Sequence, residues 1–142
     1  MEINWLAIVA AVAANGFLGF VWYHPKVFGT AWMKTLGKTQ EELMDGFNPG
    51  MVYGIMMALG FLLALYLRAN LFFTHVESDV DGSFHTFKHG ALHSGMLAIA
   101  IVAPTIIING MFERKSFKNM FIHIGYWFAS FSLMGGIIDM WN

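Results

Sequence analysis

Apolar residues in this chain do not alternate with polar ones; they come in long unbroken runs separated by short charged clusters. Ile3 to Tyr23 carries no charged residue, and Gly50 to Leu67 is a second such run, ended by Arg68. Gly90 to Gly110 is a third, followed by Glu113 and Arg114, and a fourth runs from Asn119 to Ile138, before Asp139. At about 1.5 Å rise per residue each makes a helix roughly 27–32 Å long, which matches the ~30 Å hydrocarbon core of a bilayer. Continuous rather than alternating apolar positions argue against the strands of a membrane barrel. The pattern predicts an all-α membrane protein, a single domain whose four transmembrane helices, at about 3–23, 50–67, 90–110 and 119–140, form a compact bundle.

The segments between the runs carry patterns of their own. In the connection from His24 to Pro49, Val27, Phe28, Trp32, Met33 and Leu36 share one helical face, which predicts a short helix lying in the membrane interface. Thr39 and Glu42 then form a capping-box pattern that starts a second short helix, ended by Gly46. Asn48-Pro49-Gly50 breaks the chain before the next span. Small residues line up as Ala7, Ala11, Asn15 and Gly19, as Gly50, Gly54 and Ala58, and as Gly125, Ala129, Ser132 and Gly136. Such stripes let helix backbones approach closely. Pro104 predicts a kink in the third span, where it frees the carbonyl of Ala100.

Composition narrows the partners. The chain is 57% hydrophobic and only 12% charged, with a mean hydropathy of +0.58, whereas soluble domains are about 25% charged. Its principal partner is the lipid bilayer. A net charge of −1 without a basic stripe excludes a nucleic-acid partner. The absence of cysteine excludes a disulfide framework, a thiolate zinc site and a cysteine nucleophile. The first run lacks the basic leader of a cleavable signal, so it reads as a span. Six of the eight basic residues, Lys26, Lys34, Lys38, Arg114, Lys115 and Lys118, follow the first and third runs. The positive-inside rule therefore places those loops in the cytoplasm and both termini outside. Trp22, Tyr23, Lys26, Phe28, Trp32, Glu113, Arg114 and Lys115 then mark the cytoplasmic interface.

Two groups of residues are candidates for chemistry. His85, His89 and His93 recur at i, i+4 and i+8 and fall within one stripe of a helix that starts by Phe84. Imidazoles one turn apart chelate a transition metal or titrate together between pH 5 and 8. The nearby Glu77, Asp79, Asp81 and more distant His75 are possible additional ligands. Asp79-Val80-Asp81-Gly82 also resembles the start of a calcium loop, but Gly90 stands where its final glutamate belongs. The second group is Asn15, Asn109 and His123, polar side chains within apolar runs that should face a helix or a cavity. Asp139 reads as an interfacial residue, which leaves no carboxylate inside the spans and argues against a proton-coupled pump.

Several stretches taken together resemble a known family. They are Asn4-Trp5-Leu6, the run Trp22-Tyr23-His24-Pro25-Lys26-Val27-Phe28-Gly29-Thr30-Ala31-Trp32-Met33-Lys34, Asn109 to Ser116, Gly125-Tyr126-Trp127 and Met134-Gly135-Gly136. This set resembles domain-of-unknown-function family 1761, with W-Y-x-P-x-x-F-G-x-x-W as its most specific part. The resemblance implies a bacterial four-helix membrane protein, hence the inner membrane, and brings no reaction with it. No nucleophile elbow, phosphate loop or HExxH motif is present. The sequence thus favours a non-enzymatic structural or accessory protein without a cofactor, as a homo-oligomer or a subunit of a larger complex. Its rivals are a channel or carrier lined by Asn15, Asn109 and His123, and a metal- or haem-binding protein built on the histidine ladder.

Overall fold

A computed structural model describes residues 3–75 and 84–141, without the side chains of 73–75. The acidic segment with Glu77, Asp79 and Asp81, and the side chain of His75, lie outside the described residues. Among the described residues, four helical stretches are long and apolar enough to cross a membrane. They are α1 (Trp5–Trp22), the Pro49–Phe72 part of α4 (Pro49–His75), the continuous stretch Phe87–Phe112, and α7 (Phe117–Met140). The third comprises α5 (Phe87–Leu97), a wide π turn (Ala98–Val102) and α6 (Ala103–Phe112). The chain is a multi-pass helical membrane protein.

Each span begins on a side-chain cap, which satisfies backbone N–H groups that neither the helix nor the bilayer can pair. The side chains of Asn4, Asn48, Thr86 and Ser116 accept from the amides of Ala7, Met51, His89 and Asn119. Pro49 follows the second cap, where its missing N–H costs nothing. After α6, Arg114 takes a left-handed conformation at φ 54° and Lys115 N–H reaches back to the Gly110 carbonyl. The turn is therefore tight, and an ion pair between Lys115 and Glu113 sits on it.

One span end differs from the sequence expectation, and one span interior carries an irregular turn. Arg68 does not end the second span: α4 runs on to His75, and Arg68 is 6% exposed within it. Pro104 follows directly on the π turn, in which Ala103 N–H bonds to the Ala98 carbonyl five residues back. A single wide turn is the usual way for a helix to absorb an interruption of its i→i−4 ladder.

The connection after α1 forms a π turn (Pro25–Gly29), α2 (Thr30–Leu36) and α3 (Gln40–Met44). The capping box is formed as expected: Thr39 Oγ1 accepts from Glu42 N–H, and Glu42 accepts from Thr39 N–H at 2.7 Å. Gly37 and Gly46, at φ 64° and 70°, supply the left-handed turns after the two short helices. This segment does more than lie in the interface. Asn119 at the start of α7 donates to Thr35 Oγ1 at 2.8 Å, and Thr35 donates to the Trp32 carbonyl at 2.6 Å, so α2 is tied to the bundle.

The core occupies the half of the bundle that carries the termini. Ile8, Ala11, Leu67, Ala98, Met134 and Ile138 form one buried cluster there, and Asn4 Nδ2 donates to the Trp141 carbonyl at 2.7 Å, joining the two chain ends. The tightest seam is between α5 and α7. A Cβ on Gly90 would collide with the Gly135 carbonyl, and one on Gly135 with Ser94. Gly90, Ser94 and Gly95 thus form a stripe of small residues that the sequence reading placed on three other helices. The stripe it placed on α4 has a different fate: Gly50, Gly54 and Ala58 are all exposed. That helix touches α1 at Gly60, where an added Cβ would stand 3.6 Å from Val12. From Pro49 to Leu59 every residue of α4 except Val52 is exposed.

Candidate functional site

The stretch Trp22 to Trp32 folds into an aromatic brace at the loop end of the bundle. The Trp22 indole N–H donates to the Ile122 carbonyl of α7 at 3.1 Å, and the Trp22 ring packs 4.5 Å from Phe28. Gly29 is buried against the backbone of Tyr23 and His24, in a place where any Cβ would collide with the Tyr23 carbonyl. The Tyr23 ring lies 5.4 Å from both Trp32 and Tyr126, and its hydroxyl shares a 2.7 Å hydrogen bond with His123 Nδ1. Burial, reinforced by Tyr126, pushes the Tyr23 phenol above its ordinary range.

About two helical turns deeper, Asn15 joins α1 to α7. Its Oδ1 accepts from Tyr126 Oη at 3.0 Å and from Ser130 Oγ at 2.5 Å. Both acceptor positions of the amide oxygen are therefore used, while the amide nitrogen faces the Gly60 position of α4. Asn15 and Val12 line the deep end of a cavity of about 1030 Å³.

That cavity is a wedge between α1 and the exposed first half of α4. Gly16, Gly19 and Tyr23 form one wall; Val52, Met56 and Met57 form the other. Trp32, Met33 and α3 close the end nearest the loops. Ligand cavities run from about 300 to about 1,000 Å³, so this one is at the large end. A Cβ placed on Gly16 meets nothing within 4 Å, which marks that wall as open space. Among the described residues the lining contains no Asp, Glu, Lys or Arg, and none of it comes from α5, α6 or α7.

At the opposite end of the bundle lies a buried charge cluster. Asp139 is 1% exposed. His89 Nδ1 donates to its Oδ2 at 2.7 Å and His85 Nδ1 to its Oδ1 at 3.0 Å. The His93 ring packs 4.5 Å from that of His89, and Arg68, which stacks on Phe72, is within electrostatic reach of the carboxylate. The close approach of Gly90 to Gly135 is what brings His89 of α5, and His85 just before that helix, onto a residue of α7.

The sequence candidates are thus divided. Asn15 and His123 both enter the α1–α7 contact, with Asn15 also lining the cavity, whereas Asn109 is exposed on the bundle surface and joins neither. Nearly every position of its helix is apolar, so sequence periodicity did not say which face it occupies. The histidine ladder does not form on one helix as expected: α5 starts at Phe87 on an extended Thr86, so His85 lies before it, and the rings of His85 and His89 turn toward Asp139. Among the described residues no three His, Asp or Glu side chains are grouped as metal ligands would be. Asp139 is buried protein interior rather than interface. The pairing signal in the sequence was faint: small residues at Gly90 and Gly135 beside titratable ones at the same end of two spans. Of the interface set, Trp22, Tyr23, Phe28 and Trp32 build the brace, while Lys26, Glu113, Arg114 and Lys115 are exposed beside it.

Taken together, these features define a multi-pass membrane protein with an uncharged cavity at one end of its bundle and a buried carboxylate–histidine cluster at the other. The chain belongs to a family described as "Protein of unknown function (DUF1761)", whose model matches residues 6–138. No curated protein and no solved structure matches it.

Proposed function

We propose that this protein is a non-enzymatic binding protein of the bacterial inner membrane, which holds a small molecule in the cavity between α1 and α4. Both termini lie outside in this reading, and the 24–48 segment lies in the cytoplasm. The observation that carries the proposal is the cavity itself: ≈ 1030 Å³ of space kept open beside a rigidly built wall. Helices in lipid gain from van der Waals contact, so a persistent gap between two spans forfeits packing that an occupant would restore. The wall next to it is fixed by the Tyr23–His123, Trp22–Ile122 and Asn15–Tyr126 hydrogen bonds. Preorganisation of this kind lowers the ordering cost of binding.

Native mass spectrometry of the protein released from nanodiscs tests the proposal. A retained small-molecule adduct is expected on the wild type and on Gly16→Ala, and its loss on Gly16→Leu. Equal adducts on all three proteins, or none on the wild type, would overturn it. A second reading is supported by the exposure of Gly50, Gly54 and Ala58, which suits α4 to a role in self-association or in a larger complex. Cysteine cross-linking at Gly54 between two copies tests that reading.

A further inference from the structure

Given the binding role assigned above to the cavity, we propose that its ligand is an uncharged amphiphile with an apolar chain, taken laterally from the bilayer. Three observations carry this. The first is charge. The lining residues that are described contain no carboxylate, lysine or arginine, so an ionic ligand would be desolvated there without a counter-charge. The second is the distribution of polarity. Gln40 and His24 lie in the lining from the 24–48 segment, whereas Gly16, Gly19, Met56 and Met57 form a stretch of small and pliable apolar residues that ends at Asn15, whose amide oxygen is already used by Tyr126 and Ser130. Methionine adapts its shape to irregular apolar ligands. A hydrogen-bonding head therefore sits at the loop end and the chain lies along the wedge. The third is access. No described residue of α5, α6 or α7 lines the cavity, and the α4 wall stands in the exposed segment 49–59. The open side of the wedge thus faces lipid rather than the interior of the bundle.

The experiment uses contact quenching of tryptophan by bromine in phosphatidylcholine nanodiscs. Three probes share one brominated alkyl chain and differ in the head: an alcohol, a carboxylate and a trimethylammonium. Trp32 lines the cavity, so Trp32→Phe identifies the part of the signal that comes from it. The proposal expects saturable quenching of Trp32 by the alcohol at concentrations at least tenfold below those needed for either ion. It also expects that quenching to disappear in Gly16→Leu, with an unchanged melting temperature. Equal or tighter quenching by the carboxylate or the ammonium, still abolished by Gly16→Leu, would overturn the ligand class while the cavity reading stands. Quenching by every probe that Gly16→Leu leaves unchanged, or no saturable quenching at all, would overturn the cavity reading and this inference with it.

Discussion

Tyr23, which closes α1, and His123 of α7 meet at 2.7 Å although they are 100 positions apart in the chain. The contact fixes the cavity wall, because Tyr23 also carries the ring contacts to Trp32 and Tyr126. Tyr23→Phe removes the hydroxyl and keeps the ring. Its expected cost is about 1 kcal/mol, the net worth of a partly buried hydrogen bond. A double-mutant cycle with His123→Leu, read by reversible unfolding in mixed micelles, should give a coupling of roughly 0.5–1.5 kcal/mol. Simple additivity would show that the bond contributes nothing.

Asp139 holds two imidazoles and lies near Arg68, so its removal leaves several polar groups in a nearly dry site. Asp139→Ala should cost about 3–5 kcal/mol, as breaking a buried charged network from one side does. His85→Gln, at the partly exposed edge of the cluster, should cost about 1 kcal/mol. Unfolding in the same micelles ranks the two, and an Asp139→Ala cost below that of His85→Gln would contradict the network described.

Two glycines at similar helical positions should respond with opposite signs. Gly135→Ala drives a methyl group into Ser94 and the Gly90 backbone, and should destabilise by about 2–3 kcal/mol. Gly16→Ala enters open space and removes a flexible residue from a helix, so it should stabilise by roughly 0.5–1 kcal/mol. Melting temperatures of the two variants check this; destabilisation by Gly16→Ala would mean that its wall is packed.

Topology is directly testable because the chain contains no cysteine. Single cysteines at Lys34 and Lys115 should react with a membrane-impermeant maleimide only after cells are opened. One at Phe84 should react in intact cells. The reverse pattern would invert the orientation proposed from the basic residues.

The four spans were legible because missing charges are a long-range signal that survives any choice of helix face. The capping box at Thr39 was legible because its chemistry is local. What the sequence hid was rotation and pairing. Asn109 and Asn15 look alike in it, each a lone amide in an apolar run, yet one is exposed and the other bonds to Tyr126 and Ser130. Arg68 and Asp139 read as boundary charges because each ends an apolar run. Their burial depends on partners in other helices, which spacing within one run does not encode. The cavity was equally hidden, since it arises where α4 fails to follow α1 below Gly60.

The most direct test of the central claim is a structure of the protein in a lipid nanodisc, compared with Gly16→Leu. The account predicts continuous non-protein density between Gly16 and Met57 in the wild type, lost in the variant. A wild-type structure in which Val52 and Met56 pack directly onto Gly16 and Gly19, with no space between the helices, would contradict it.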